Sequence, residues 1–452
     1  MSGVWTVFRH EWASFARSGS VVLMVLIAGV VGVGAAVVEH RAWQAEQAER
    51  ADLQAQEVEQ WLALGSTHIH KAAHRGYFIV RDLPAGVILD RGVWDFGGSS
   101  VWLEAHRRHA PQLRAVDAAA VVARGAPRGV GPVLLWLVPL LLAVLLHGIV
   151  AGERESGSLA FAVSSGASPG AIVVGKTLAA ILLAWAAVAL PVAVGAALAV
   201  GGGLSPAGAA TWGSSLLAAL GIVAALVVVV SSLAKRPLGA LVALLLIWFT
   251  MAVLWPRLAP GLVEQAAPIP SSQTVRSEAE VAAEGLVTDS TQEAVRTRLT
   301  SAGVSDPNPS GVSAMAAEVD AAEAFGQIFA PLEAGMARQV NLLDIASWAS
   351  PLAAADRAAD AAVGLGDRDQ FAFEARAEAM RIGTQMALNE GWARIEAGDR
   401  GNAGLWRSVV DAAEATPAPG PAGGHAHWGL VLWTVLAAGG LLWASRTVRT
   451  ST

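Results

Sequence analysis

The chain has 452 residues, of which 54% are apolar and only 15% charged, with a formal net charge of -6 and no cysteine. Charged residues make up about 25% of a typical soluble domain, so much of this chain is built for lipid. The small, dispersed charge and the lack of any long Lys/Arg run exclude nucleic acid as a partner. The missing cysteine excludes disulfides, thiol catalysis, cysteine-based zinc sites and iron–sulfur clusters.

A helix needs about 20 apolar residues to cross a hydrocarbon core of about 30 Å, because each residue rises about 1.5 Å. Read in chain order, residues 1–18 form an amphipathic helix centred on Trp5 to Phe15, and 19–38 the first span. That span is long for a secretory signal, and Gly34-Ala35-Ala36 is a weak cleavage pattern, so it reads as an anchor. Residues 39–131 are polar, 132–151 form the second span, and 152–176 a short polar loop. Spans three, four and five follow at 177–200, 216–233 and 237–255. A second polar stretch, 256–427, leads to a last span at 428–444. The fold class expected is an all-α membrane protein with six transmembrane helices and two mainly helical extracytoplasmic domains.

Positive charge sets the orientation. Arg154 and Lys176 lie between spans two and three, Lys235 and Arg236 between four and five, and Arg446 and Arg449 after span six. The short loop 201–212 has no Lys or Arg. Both termini are therefore expected in the cytoplasm. Pro139 and Pro191 remove helix hydrogen bonds inside spans and are candidate hinges. Ala28, Gly32, Gly195 and Ala199 allow close helix packing. His147 is the ionisable side chain of span two and is expected to meet a neighbouring helix or the interface.

In the polar stretches, Arg41 to Leu64 reads as a helix continuing outward from span one, with Leu53, Val58 and Leu62 on one face. Asp90-Arg91-Gly92 and Gly97-Gly98 mark turns. Val312 to Phe329 and Gln370 to Leu388 read as amphipathic helices, and Thr416 to Gly424 as a Pro/Gly-rich linker. His68, His70, His74, His106 and His109 raise a zinc or copper site, but their spacing fixes no closed ligand set, and no metal ligand is assigned. Glu278, Glu280 and Glu284 read as a solvated helical face.

Gly170 to Gly175-Lys176-Thr177 matches a phosphate-loop pattern. The chemistry requires that loop to leave a buried strand and open a helix with free backbone N–H groups facing the phosphates. Here Ala171 to Val174 is apolar and a membrane span follows. Pro169 is expected to open a short helix along the membrane surface, with Lys176 as the charged anchor of span three.

The run Glu153-Arg154-Glu155-Ser156-Gly157-Ser158-Leu159, followed by Ser165 to Pro169 and Val174-Gly175-Lys176-Thr177-Leu178, resembles the cytoplasmic loop of ABC-2 type permeases. In that family a Glu-Arg-Glu-x-Gly-Thr-Leu run ends span two and a Gly-Lys-x-Leu run begins span three; Ser158 stands here for the threonine. Ala72 to Phe78, Leu89 to Gly92, Ser99 to His106 and Trp348-Ala349-Ser350-Pro351-Leu352 are similar to a bacterial branch of these permeases with large external loops and no assigned function. The resemblance implies a permease in the bacterial cytoplasmic membrane, driven by a separate cytoplasmic ABC ATPase. ATP and Mg would sit on that partner and no cofactor on this chain. It further implies a second permease subunit, identical or a sister, and a coupling loop carried by Glu153, Arg154, Glu155, Gly157, Leu159, Pro169, Gly175 and Lys176. A membrane-anchored assembly factor that receives an envelope protein on its external domains is the alternative; a membrane enzyme ranks below both.

Overall fold

Apolar runs of span length become helices because in hydrocarbon each backbone N–H and C=O has to be satisfied within its own segment. The computed structural model describes residues 2–114, 128–283, 288–395, 398–417 and 424–450. It opens with α1 (Ser2–Arg17), the long α2 (Gly19–Leu62) and the short α3 (Ile69–Arg75). Strands β1 (Tyr77–Val80) and β2 (Ser100–Leu103) pair antiparallel, Tyr77 opposite Leu103 and Val80 opposite Ser100. Then come α4 (Val130–Leu146), α5 (Ala151–Ser156), α6 (Ser158–Ser164), α7 (Pro169–Gly201), α8 (Pro206–Leu233) and α9 (Pro237–Phe249). A π turn (Thr250–Leu254) joins α9 to α10 (Trp255–Ala266). The second polar stretch forms α11 (Ser272–Ala283), α12 (Asp289–Ser301), α13 (Pro309–Ser347), α14 (Pro351–Ala362), α15 (Asp367–Ala393) and α16 (Ala403–Ala415). The last helix is α17 (His427–Thr450).

Six helical stretches are long and apolar enough to cross a membrane: Gly19–Leu62, Val130–Ser156, Pro169–Gly201, Pro206–Leu233, Pro237–Ala266 and His427–Val448. Six helical stretches of span length are present, as expected, and the described residues are mostly helical, with the β1–β2 ribbon the sheet among them. α8 runs through the middle, packed on α4, α7, α14 and α17. Val22, Leu26, Val30, Leu238, Val242, Leu246, Val435 and Leu442 face outward from α2, α9 and α17, the distribution a lipid belt requires. A Cβ on Gly32 would stand 2.7 Å from Cβ of Pro191, so the glycine lets α2 close on α7 at the proline inside that helix. His147 sits at the C-terminal end of α4, its Nδ1 2.8 Å from the carbonyl of Val144.

At one end of the bundle the two polar stretches share a single core. Trp61 of α2, Ile69 of α3, Tyr77 and Leu103 of the ribbon, Phe373 and Trp392 of α15 and Trp406 of α16 pack together. The outer half of α2 covers the free edge of β1. Val80 N–H donates to Oε1 of Gln54 at 2.8 Å and Leu83 N–H to Oε1 of Gln47 at 2.9 Å. An open strand edge would otherwise invite pairing with another chain. Glu318 of α13 and Arg381 of α15 form a wholly buried pair at 2.8 Å, closed by Glu378 and by the backbone N–H of His106.

The sequence reading gives no hint of one feature. The turn Trp348 to Ser350 and the start of α14 push back among the spans, where Leu352 lines a small apolar cavity with Pro139, Ala143, Val223, Val227, Leu244 and Met251. Ser350 caps α14 by accepting from the N–H of Ala353, and its hydroxyl donates to the Met251 carbonyl at 3.2 Å. That carbonyl lies in the π turn, where the regular ladder is shifted and a side-chain donor can be used. Trp255 and Trp433 donate their ring N–H groups to the carbonyls of Ala346 and Trp348.

Candidate functional site

The other end of the bundle carries the loop that the sequence singles out. Span two does not stop at Leu146. It breaks, restarts as α5, turns at Gly157 and runs on as α6. Gly157 has φ 78, a left-handed conformation that glycine adopts without the Cβ penalty. It ends α5 and starts α6, setting the angle between two short helices. Glu155, Gly157 and Ser158 are exposed, while Leu159 is buried and pins α6 to the spans. Phe161, two residues on, is 75% exposed.

Three tethers hold this turn. Arg154 donates to the carbonyls of Ser232 and Ala234, both at 2.7 Å, a cation placed on the unsatisfied C-terminal carbonyls of α8. The hydroxyl of Ser231 accepts from the N–H groups of Val150 and Ala151 and donates to the carbonyl of His147. It thereby mends the break between α4 and α5. Lys176, 2% exposed, ion-pairs with Glu153 at 2.8 Å and with Glu11 of α1. Burying a lone ammonium would cost several kcal/mol, and two carboxylates on either side offset that cost. Nothing local in the sequence points to Glu11, an acid in a helix that also carries Arg9 and Arg17.

Gly175 explains how α1 reaches this lysine. A Cβ there would lie 2.7 Å from Cβ of Val7 and 2.9 Å from the carbonyl of Val4, so only glycine lets α1 cross α7 so closely. Pro169 stands at the first turn of α7, where Ser168 caps the helix by accepting from Ala171 N–H at 3.1 Å. Pro169 was expected to begin a separate surface helix; instead α7 is continuous from Pro169 to Gly201, and the separate short helix is α6. Gly170 to Thr177 are likewise helical, so their amides serve the helix rather than a phosphate loop.

On the opposite end the histidines cluster without closing on a common point. His70 and His74 have ring centroids 4.6 Å apart, and His74 and His106 5.8 Å. His106 faces Glu318, His109 lies 2.6 Å from Glu104, and His68 faces Asp399. Among the described residues no group of three or more His, Asp or Glu side chains is placed to hold a metal ion. Burial first, then the neighbouring imidazoles, hold His70 below the usual histidine range. For His106, burial and the charges of His74 and Arg381 outweigh the opposing pull of Glu318 and Glu104. Glu278 and Glu280 are exposed on α11, and Glu284 lies outside the described residues, as do 418–423 of the linker.

Residues 5–395 match a family model described as ABC-2 family transporter protein. That stretch takes in α1, five of the six spans, the Glu153 to Lys176 loop and both polar stretches through α15. No curated protein matches the chain. A match over most of the length, six span-length helices and the loop motif in its expected place lead to one statement: the chain belongs to the ABC-2 family of transporter proteins and is a multi-pass membrane component of a transporter.

Proposed function

We propose that this chain is the permease subunit of an ABC transporter of the bacterial cytoplasmic membrane, worked by a separate cytoplasmic ATPase that binds ATP and Mg. It pairs with a second permease subunit, identical or a sister, and moves its substrate across or out of the bilayer. Both termini and the Glu153 to Lys176 loop face the cytoplasm, and the large helical body faces the other side. The observation that carries this reading is the tethering of one exposed turn to several spans at once. Force applied at Glu155, Gly157 and Phe161 reaches α8 through Arg154 and Ser231, and α7 and α1 through the Glu153–Lys176–Glu11 pairs. A push on so small a surface can then select between two packings of the spans.

The native chain carries no cysteine, so a single Phe161→Cys substitution reports cleanly. Purified from its own membrane, the variant is expected to bring down a Walker-type ATPase and to cross-link to it from Cys at 161. Absence of any ATPase, together with labelling of that cysteine only from the side of the large domain, would contradict the proposal.

A further inference from the structure

Where the helical body meets the spans, three carboxyl groups lie together without a cation of their own. Asp90 follows the 3-10 turn Ala85–Ile88, and Asp356 and Asp360 lie one turn apart on α14. Asp90 is 2% exposed, and the carboxyl of Asp360 lies beside it. The bases nearby are committed elsewhere. Arg357 holds Asp344 at 2.8 Å and Asp367 at 3.0 Å, Arg91 holds Glu39, Glu46 and Asp95, and Arg128 holds Glu39 and Asp95. Gly131 of α4 and the indole of Trp212 of α8 lie beside Asp90.

Two carboxylates held side by side away from bulk water repel each other, and one proton shared between them removes that repulsion. Three atoms mark the place as unsatisfied. Oδ2 of Asp90, Oδ1 of Asp360 and Nε1 of the wholly buried Trp212 have no hydrogen-bond partner. Oδ2 of Asp90 and Nε1 of Trp212 both stand 3.0 Å from the point a Cβ of Gly131 would occupy, so they approach the same spot from two elements. Asp360, half-buried, also lines an open cavity of about 580 Å³ with Arg357, Asp344, Thr211, Ser215 and His427. Among the described residues no three acids are arranged to hold a metal ion.

We propose that the Asp90–Asp360 pair is a proton-binding site, loaded through the cavity at Asp360, and that the bound proton keeps α14 seated among the spans. α14 joins the helical body to α8, α4 and α17, so its seating depends on proton activity on the side that carries that body. Burial and the neighbouring charge of Asp356 push Asp90 well above the usual aspartate range, burial and Asp90 do the same for Asp360, and burial lifts Asp356 to about 6. A raised carboxyl holds its proton in the folded chain after the unfolded chain has lost it. Stability therefore falls as pH rises from the ordinary value of 3.8 through the raised one.

The test uses the full-length protein in lipid nanodiscs, with Asp90→Asn and Asp360→Asn as isosteric variants that cannot lose a proton. Infrared spectra recorded above the ordinary aspartate range are expected to show a protonated carboxyl band that each variant loses and that alkaline titration of the wild type removes. The melting temperature of Asp90→Asn relative to wild type should rise as pH increases above the ordinary aspartate range. If a variant does not insert, the wild-type titration alone decides. No protonated band in the wild type, a pH-independent difference in melting temperature, or a melting temperature that follows sodium concentration instead of pH would each overturn the proposal.

Discussion

Lys176 shows how one residue joins several elements. Lys176→Met removes the ammonium from between Glu11 and Glu153 and leaves two carboxylates facing an apolar side chain. Removing one partner of a buried pair costs about 3–5 kcal/mol, and the one-third exposure of Glu153 puts this case near about 2 kcal/mol. A lower melting temperature of the detergent-solubilised variant, recovered in part by adding Glu11→Gln, is the expected result. The histidines give a prediction of opposite pH sign to the Asp90 pair. His70 and His106 have folded values below 6.5, so the unfolded chain takes up protons first as pH falls through that value, and stability drops on acidification. His106→Asn should flatten the acid limb of the melting-temperature profile; an unchanged limb would remove His106 from this role. At this scale the sequence singled out Glu153, Arg154 and Lys176, which the structure ties to neighbouring helices, since the Glu-Arg-Glu-x-Gly run is local. It missed Glu11 because nothing local ties an acid at position 11 to a lysine at 176.

Elements divide the same way. The spans were legible because lipid demands unbroken apolar length, and their small residues fall at the contacts: Gly32 against Pro191, Gly195 against Leu89 and Val130. The insertion of α14 was not. Asp356, Arg357 and Asp360 give Pro351–Ala362 the look of a water-facing helix, whereas its apolar face, Leu352, Ala354, Ala355 and Ala359, is buried against the spans. A helix of mixed character reads as a surface helix when the surface it rests on is far away in sequence. Ser350 holds this insertion through one cap and one bond to the π turn. Ser350→Ala is expected to cost about 1 kcal/mol for the lost cap and somewhat more for the Met251 carbonyl left without a donor. A melting temperature indistinguishable from wild type would show that α14 is seated by packing alone. The shared core of the two polar stretches was equally hidden, because Trp61 and Trp406 meet across most of the chain length.

As a whole the molecule places its tethered turn at one end of the bundle and its helical body at the other, with α8 running between them. Arg154 and Ser231 hold the loop end of α8, while Trp212 and the contacts with α14 lie toward the other end. Movement of this one helix would be felt at both ends. The most direct measurement is ATP hydrolysis by the permease–ATPase complex in lipid vesicles, comparing wild type with Gly157→Pro and Glu155→Lys. Proline cannot adopt the φ of 78 found at Gly157, and lysine reverses the charge at the exposed end of α5. Both variants are expected to insert normally and to lose the permease-dependent part of hydrolysis about tenfold or more, a change of about 1.4 kcal/mol in coupling. Full stimulation by both variants, correctly inserted and bound to the ATPase, would contradict the assignment of this turn as the point where force enters.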